Sequence, residues 1–301
     1  MALGTNHQTI TTGAKFIPEI WSDEVVATYK SNLIAANLIK KLSFKGKKGD
    51  ALHIPKPGRG SANAKVASTE VVLNTDTATE VIVSIDQHWE YSILIEDIVE
   101  AQALASMRQF YTDDAGYALA RKVDSLLLQL GRGVNGGDGT AAYTGAFSGA
   151  DGTTAYTGTA GALTDAAIRR SIQRLDDADV PMDGRFLVVP PSTRNTLMGI
   201  QRFTEQAFVG EAGSSNTIRN GEVGNVYGIP VFVTSNADAA TDGDRICLLG
   251  HKDFAVLAEQ MGVRTQTQYK QEYLGTLFTA DTLFGVKELR DGAAVALAVP
   301  A

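Results

Sequence analysis

The chain has 301 residues, 44% of them hydrophobic, and a formal net charge of −7. That length can bury a large core and hold two domains, and the acidic balance argues against a surface built as a whole for nucleic acid. The single cysteine, Cys247 in RICLLG, excludes an internal disulfide framework and reads as a buried strand residue rather than a nucleophile.

The N-terminal stretch MALGTNHQTITTG lacks the basic-then-apolar pattern of a secretion signal. No apolar run approaches the roughly 18 residues of a membrane helix. A soluble protein made in a cytoplasm is the expectation. Residues 1–17 are polar and threonine-rich and read as an arm without a core of its own. Pro18 then opens a helical pattern, with Trp21, Val25 and Tyr29 on one face and Leu33 near the same stripe.

The next segment is basic. Between Lys40 and Lys65 lie Lys40, Lys41, Lys45, Lys47, Lys48, Lys56, Arg59 and Lys65, against Asp50 as the only acid. That is +7 over 26 residues, so the other 275 carry −14. Glycines (Gly46, Gly49, Gly58, Gly60) and prolines (Pro55, Pro57) punctuate it, which predicts a projecting, mobile loop.

From Val81 to Ile95 the sequence alternates. Val81, Val83, Ile85, Trp89, Tyr91, Ile93 and Ile95 occupy odd positions with Gln87, while Ser84, Asp86, His88, Glu90, Ser92 and Glu96 occupy even ones. Read as one strand, it spans roughly 50 Å at about 3.3 Å per residue, so part of it leaves the compact body and needs something to cover its apolar face. The period then turns helical from about Ile98 to Leu130, with Leu104, Met107, Tyr111, Ala115, Ala118, Val123, Leu126 and Leu130 as the apolar stripe and Gly131 and Gly133 at its end. It reads as a spine lying across a sheet.

Asn135 to Ala162 is low in complexity, contains AYTG twice (from Ala142 and from Ala155), and predicts a flexible or locally hairpinned insertion at a domain boundary. A second domain begins at Leu163. Thr164 or Asp165 caps a helix with Ile168, Ile172 and Leu175 inward. GRFLVVPP is a buried strand, Ser192 caps a short helix after it, and IPVFVT and RICLLG add strands, giving an α/β or α+β domain. The tail from Arg264 to Val299 is strand-rich and is expected to return to the first domain's sheet as an antiparallel meander.

No catalytic constellation emerges. His7, His53, His88 and His251 match no zinc spacing. Asp113–Asp114 and Asp176–Asp177 are adjacent on helical patterns, where side chains diverge by about 100°. No G-x-S-x-G elbow or P-loop occurs. In GEVGNVYGIPVFVTSN, Gly221, Gly224 and Gly228 precede a strand rather than a helix, the reverse of a dinucleotide fingerprint, and read as a loop entering a buried strand at Pro230. The basic loop has only Phe44 for base stacking. A phosphate contact stays open for it, and pairing with an acidic neighbouring subunit is favoured by the −14 elsewhere. Projecting parts that cannot cover their own apolar faces imply repeated contact with copies of the same chain.

Nearly the whole chain resembles, in order and pattern, the major capsid proteins of tailed bacteriophages, whose fold is named after phage Hong Kong 97. KFIPEIWSDEVVATYKSNLIAANLIKKLSFKGKKGDALHIPKP resembles the N-terminal arm passing into the extended loop, and the helix ending at Leu130 the spine helix. GRFLVVPPSTRNTLM and GEVGNVYGIPVFVTSN resemble the axial domain, and HKDFAVLAEQ with TLFTADTLFGVKELRDGAAVAL the return to the peripheral domain. The resemblance implies an α+β chain with an arm and first helix at 1–40, an extended β loop at 41–88, a peripheral domain at 89–134 and 251–301, and an axial α/β domain with its glycine- and threonine-rich insertion at 135–250.

It implies a major capsid protein, not an enzyme and without cofactor or metal, that forms hexamers and pentamers of an icosahedral head around packaged double-stranded DNA, contacted non-specifically. Lys45, Lys47, Lys48, Lys56, Arg59 and Lys65 are then candidates for contacts between subunits. Gly221, Gly224, Tyr227 and Gly228 shape an axial loop where subunits meet. The resemblance implies a separate scaffolding protein, on the expectation that the chain begins directly at the arm, and a portal and a decoration protein as further partners. Assembly is expected in the bacterial host cytoplasm, the virion being the final location, with no membrane. An encapsulin-like compartment, another self-assembling phage component such as a tube or decoration protein, and an α/β enzyme with an unrecognised site remain as alternatives. Some relatives join a loop lysine to an asparagine of a neighbour. Asn220, Asn225 and Asn236 all lie outside the return strands and 252–301 has no asparagine, so non-covalent shells are expected.

Overall fold

In a computed structural model of the chain, the described residues are 34–44, 48–56, 58, 60–71, 73–74, 79–98, 107–200 and 224–301. The arm at 1–17, the helix expected from Pro18, and Lys45, Lys47, Arg59, Leu104, Asn220 and Gly221 lie outside them. The described elements are α1 (Ala35–Leu38), β1 (Lys40–Ser43), β2 (Ala51–Lys56), β3 (Thr79–Ser84), β4 (Gln87–Glu96), α2 (Met107–Gln129), β5 (Phe147–Ser148), α3 (Asp165–Asp177), β6 (Arg185–Val189), α4 (Pro191–Met198), β7 (Asn225–Val226), β8 (Ile229–Val233), β9 (Arg245–His251), β10 (Ala255–Lys270), β11 (Gly275–Glu288) and β12 (Ala294–Val299). They form a four-stranded sheet in the order β1-β10-β11-β4, a six-stranded sheet in the order β5-β12-β9-β6-β8-β7, and the separate hairpin β2-β3.

The alternation from Val81 to Ile95 holds residue by residue, every even position from Ile82 to Glu96 being exposed. The single long strand does not. β3 pairs antiparallel with β2, and β4 pairs antiparallel with β11 as the edge of the larger sheet. The ladder changes partner at Ile85, whose N–H donates to the Asp50 carbonyl at 2.8 Å. Gly285 makes the crossing possible: a Cβ there would stand 2.3 Å from the Ser84 carbonyl oxygen.

α2 is 23 residues long, about 35 Å at 1.5 Å per residue. It lies across the four-stranded sheet, with Ala115 and Leu119 on Phe278 and Ala280 beside Trp89, Tyr91 and Ile93. Leu127 and Leu128 continue the contact into the central core with Phe284 and Leu248. Of the expected stripe only Ala115 is fully buried; Tyr111, Ala118, Val123, Leu126 and Leu130 are half-buried. The inward face is turned because it also carries Asp124, buried, whose Oδ1 accepts from the backbone N–H groups of Ile34 (3.0 Å) and Ala35 (2.7 Å) and so caps α1.

Of the two expectations for the glycine- and threonine-rich segment, the local hairpin holds, with the Ser148 N–H donating to the Thr154 carbonyl at 2.8 Å and the Tyr156 N–H to the Ala146 carbonyl at 2.9 Å. The segment is a folded part of the core rather than flexible. Asp138 Oδ1 accepts from the Thr140 N–H at 2.9 Å and hydroxyl at 2.7 Å. Asp151 repeats the turn with Thr153 and Thr154, and these donors hold its carboxyl down to about 2. The two AYTG tyrosines are its anchors: both are buried, Tyr143 donating to Asp238 at 2.6 Å and Tyr156 to Asp244 at 3.0 Å. β5 adds to β12 in parallel.

Within the six-stranded sheet β6 and β12 are buried throughout, while β5 and most of β8 are half-buried. α3 covers it through Ile168 and Leu175, and Thr164 caps it, accepting from the Ala167 N–H at 3.2 Å. Ser192 does not cap α4. Pro190 is the N-cap, without a side-chain bond, and the Ser192 hydroxyl donates to the Pro300 carbonyl at 3.2 Å. The tail also departs from expectation. β10 and β11 form the meander with β4, but β12 crosses into the six-stranded sheet and pairs antiparallel with β9. Its six residues, AVALAV, are apolar on both faces and fit a strand covered on both sides better than an edge. The placement of 294–299 with the first sheet is therefore corrected.

Candidate functional site

Nothing among the described residues assembles into a catalytic or metal centre. Among the described residues no group of three or more His, Cys, Asp or Glu side chains is placed to hold a metal ion. Cys247 is fully buried in β9 and burial pushes its thiol up to about 12, which leaves it protonated and inert. His53 faces Glu80 at 3.0 Å on the exposed hairpin, and the His251 ring meets the Asp183 carbonyl at 2.8 Å. Asp176 receives Arg185 Nη2 at 2.6 Å. Each is a structural contact.

The unusual surface is on the hairpin. A two-stranded sheet cannot bury much by itself, and the segment beyond it exposes Val66, Val71 and Leu73 by 63%, 70% and 86%. Among the sequence candidates, Lys48 and Lys56 are exposed on this element. Lys56, at the loop end of the hairpin ladder opposite Thr79, lines clefts together with Asp253 and Arg290. Lys65 is tied into its own loop, donating to the Val66 carbonyl at 2.8 Å and to the Thr69 carbonyl. The structure thus separates Lys65, which shapes the loop, from Lys48 and Lys56, which present charge.

An acidic surface lies on the edge strand β4. Its outward side carries Glu90 and Glu96, with Asp86 just before it, all exposed. On the same face Asp281 accepts a bidentate pair from Arg264 (2.7 and 2.9 Å) and faces His88 Nε2 at 3.1 Å, a clamp across β10, β11 and β4 whose Arg264 donors hold the Asp281 carboxyl low. The far end of this sheet, which the sequence reading missed, exposes Tyr269, Tyr273, Leu274 and Ile98 around Asp97. The run TQTQYKQEYL holds its tyrosines and leucine apart in polar sequence, so no apolar patch shows until the β10–β11 turn brings them together.

The axial-loop candidates make a tight turn. Tyr227 (φ 52°) and Gly228 (φ 78°) both take left-handed backbone between β7 and β8, the type I′ geometry of a two-residue hairpin. Tyr227 is held by a hydrogen bond from its hydroxyl to Asp165. The Gly224 carbonyl accepts from the Val231 N–H at 3.0 Å. A turn into a strand offers no helix N-terminus to a phosphate.

The charged sheet edge and the long helix across the sheet lie in a stretch of sequence that matches a known family. The profile described as Phage capsid protein matches residues 90–297, more than half of the chain. The chain belongs to the phage capsid protein family.

The capsid protein's fold is that named after phage Hong Kong 97. A chain from a structure of Mycobacterium phage Che8 matches with a TM-score of 0.75 at 23% identity, covering 94% of this chain and 97% of that one. A chain from the capsid structure of the cyanophage P-SCSP1u matches with a TM-score of 0.76 at 19% identity, covering 99% and 96%. One from the capsid of a native GTA particle matches with a TM-score of 0.65 at 14% identity, covering 99% and 100%. No curated protein sequence matches the chain. The capsid protein is a major structural subunit of a phage head shell and belongs to the virion. No described helix is long and apolar enough to cross a membrane.

Proposed function

We propose that the capsid protein assembles with copies of itself into the hexamers and pentamers of an icosahedral head, formed in the host cytoplasm and enclosing double-stranded DNA that it contacts without sequence preference. It catalyses no reaction. The observation that carries this reading is the loop joining β2 to β3, whose exposed Val66, Val71 and Leu73 have no cover among the described residues. Lys48 and Lys56 engage the Asp86–Glu90–Glu96 face of a neighbour, where many exposed ion pairs of about 0–1 kcal/mol each sum around a closed shell. The division that fits this role has an arm to residue 40, an extended loop at 41–88, a peripheral part at 89–134 with β10 and β11, and an axial part at 135–250 with β12. Tyr227 and Gly228 then sit on the axial part, where a rigid turn suits a contact repeated around a symmetry axis. The role calls for a portal, a scaffolding protein and a decoration protein as further partners.

The test is size-exclusion chromatography of the purified protein followed by negative-stain imaging, with nucleic-acid staining of particles from infected cells. Closed shells that contain DNA in infection are expected. Open tubes, shells filled with protein cargo, or a small oligomer would each overturn the reading.

A further inference from the structure

Three stretches of chain connect the two large sheets: the one from the end of α2 to β5, the one from β9 to β10, and the one from β11 to β12. The first and third meet. α2 ends in two short 3-10 turns, Leu130–Arg132 and Val134–Gly136, with Asn135 (φ 55°) and Gly136 (φ 74°) in left-handed backbone. The third contains the turn Asp291–Ala293. Asp291 staples the two, both its carboxylate oxygens accepting from the Gly136 N–H at 3.1 Å.

Beside this staple stands Glu288, the last residue of β11, its backbone paired with Ala255 of β10. Its Oε1 is buried and has no hydrogen-bond partner. Its carboxyl packs against Gly133 so closely that a Cβ on that glycine would lie 2.5 Å from Oε2. Neither the core nor the exposed surfaces described above use this group. We propose that the carboxyl of Glu288 is a proton-operated wedge in the joint between the two large sheets, which it lets close when neutral and forces open when ionised.

The physical reason is that a buried oxygen without a donor tolerates the neutral form far better than the charged one. The surrounding charges point the same way. Within its own segment, Asp291 opposes ionisation of Glu288 and Lys287 favours it. In the turns at the end of α2, the basic group is Arg132, already committed to Asp238 at 2.7 and 3.0 Å. Across the cleft that borders Asp291 lie Lys56, His251, Asp253, Asp179 and Arg290. β10 begins with the uncharged Ala255–Ala258. Burial first, and Asp291 second, raise the Glu288 carboxyl to about 7.

Because the folded group binds its proton more tightly than the unfolded one, closure is fully favoured below the ordinary carboxyl range near 4.5 and weakens as pH rises through about 7. Above that, ionised Glu288 repels Asp291, the residue that holds Gly136. In an assembled head, the same change in every subunit would alter the angle between the sheets throughout the shell. That consequence rests on the proposed assembly; the opening of the joint does not.

Hydrogen–deuterium exchange on the full chain at pH 6, 7 and 8, corrected for intrinsic exchange rates, tests it. Peptides covering 130–137 and 288–293 should lose protection roughly tenfold between pH 6 and 8, following the ionised fraction, while peptides from β6 and β9 keep theirs. In Glu288→Gln the joint should stay protected at all three pH values. Should that variant be insoluble, Gly133→Ala serves: its methyl displaces the carboxyl toward water and should abolish the change between pH 6 and 8. Wild-type protection that does not vary across this range, or variation that persists in both variants, overturns the proposal. Either outcome leaves shell formation, read by imaging, standing or falling by itself.

Discussion

The six-stranded sheet and the β2-β3 hairpin carry similar numbers of β-branched residues for their length and treat them in opposite ways. In the sheet, both faces of β6 and β12 are covered from within the chain, by α3 on one side and by the glycine- and threonine-rich segment and the end of α2 on the other. On the hairpin one side leans on β10 through Val83, which packs with Val256 and Ala258, while Ile82 and the segment beyond it face outward. The first arrangement makes a subunit fold. The second leaves apolar area uncovered among the described residues, the kind of surface that marks contact with another molecule.

A charge placed in the self-covered part should therefore destroy the subunit itself. Leu127→Asp puts a carboxylate on the fully buried face of α2, at a cost of several kcal/mol unless it neutralises. Insoluble protein is expected on expression, and a soluble, folded subunit with native circular dichroism would show that α2 is not the support it is taken to be. Charge reversal on the hairpin should do the converse. The double variant Lys48→Glu, Lys56→Glu should keep the circular dichroism and melting of the dispersed subunit and lose shells in negative stain. Adding Glu90→Lys and Glu96→Lys should restore them in part. Normal shells from the double variant would remove the hairpin from the assembly surface.

How far the two regions can be read from sequence also differs. The alternation of Val81 to Ile95 is legible because inside and outside are set locally, residue by residue. The partner strands are not, because the switch at Ile85 depends on Gly285, some two hundred positions away, having no side chain. The stretch 135–162 reads as either flexible or locally hairpinned because composition averages over it, and what decides for the hairpin is two tyrosines, each with a specific aspartate, that anchor the segment. Lys48 and Lys56 stand out as charge in sequence, but Lys65 looks the same there and proves to be an internal tie. Glu288 looks like any strand-end glutamate, since its burial comes from a glycine turn on another element.

Smaller effects sharpen the same contrast. Tyr143→Phe removes one buried hydrogen bond while Asp238 keeps Arg132, so a loss of about 1 kcal/mol in urea unfolding is expected. No measurable loss would return the segment to the status of a surface loop. At the smallest end, the hairpin contacts should add no covalent bond. Asn236 is occupied within the subunit, donating to Asp124 and accepting from Arg121, both at 3.2 Å. Boiled shells on a denaturing gel should run as one band near 32.0 kDa, and a ladder of multimers would direct attention to Asn225 or Asn220.

The central claim is that the uncovered surfaces of the subunit are covered by its neighbours. Hydrogen–deuterium exchange compared between dispersed subunits and assembled shells tests it most directly. Peptides covering 51–56, 60–71 and 87–96 should gain protection on assembly, while those from β6, β9 and β12, already covered, should not change. Equal exchange of the hairpin and the β4 edge in both states would contradict the account.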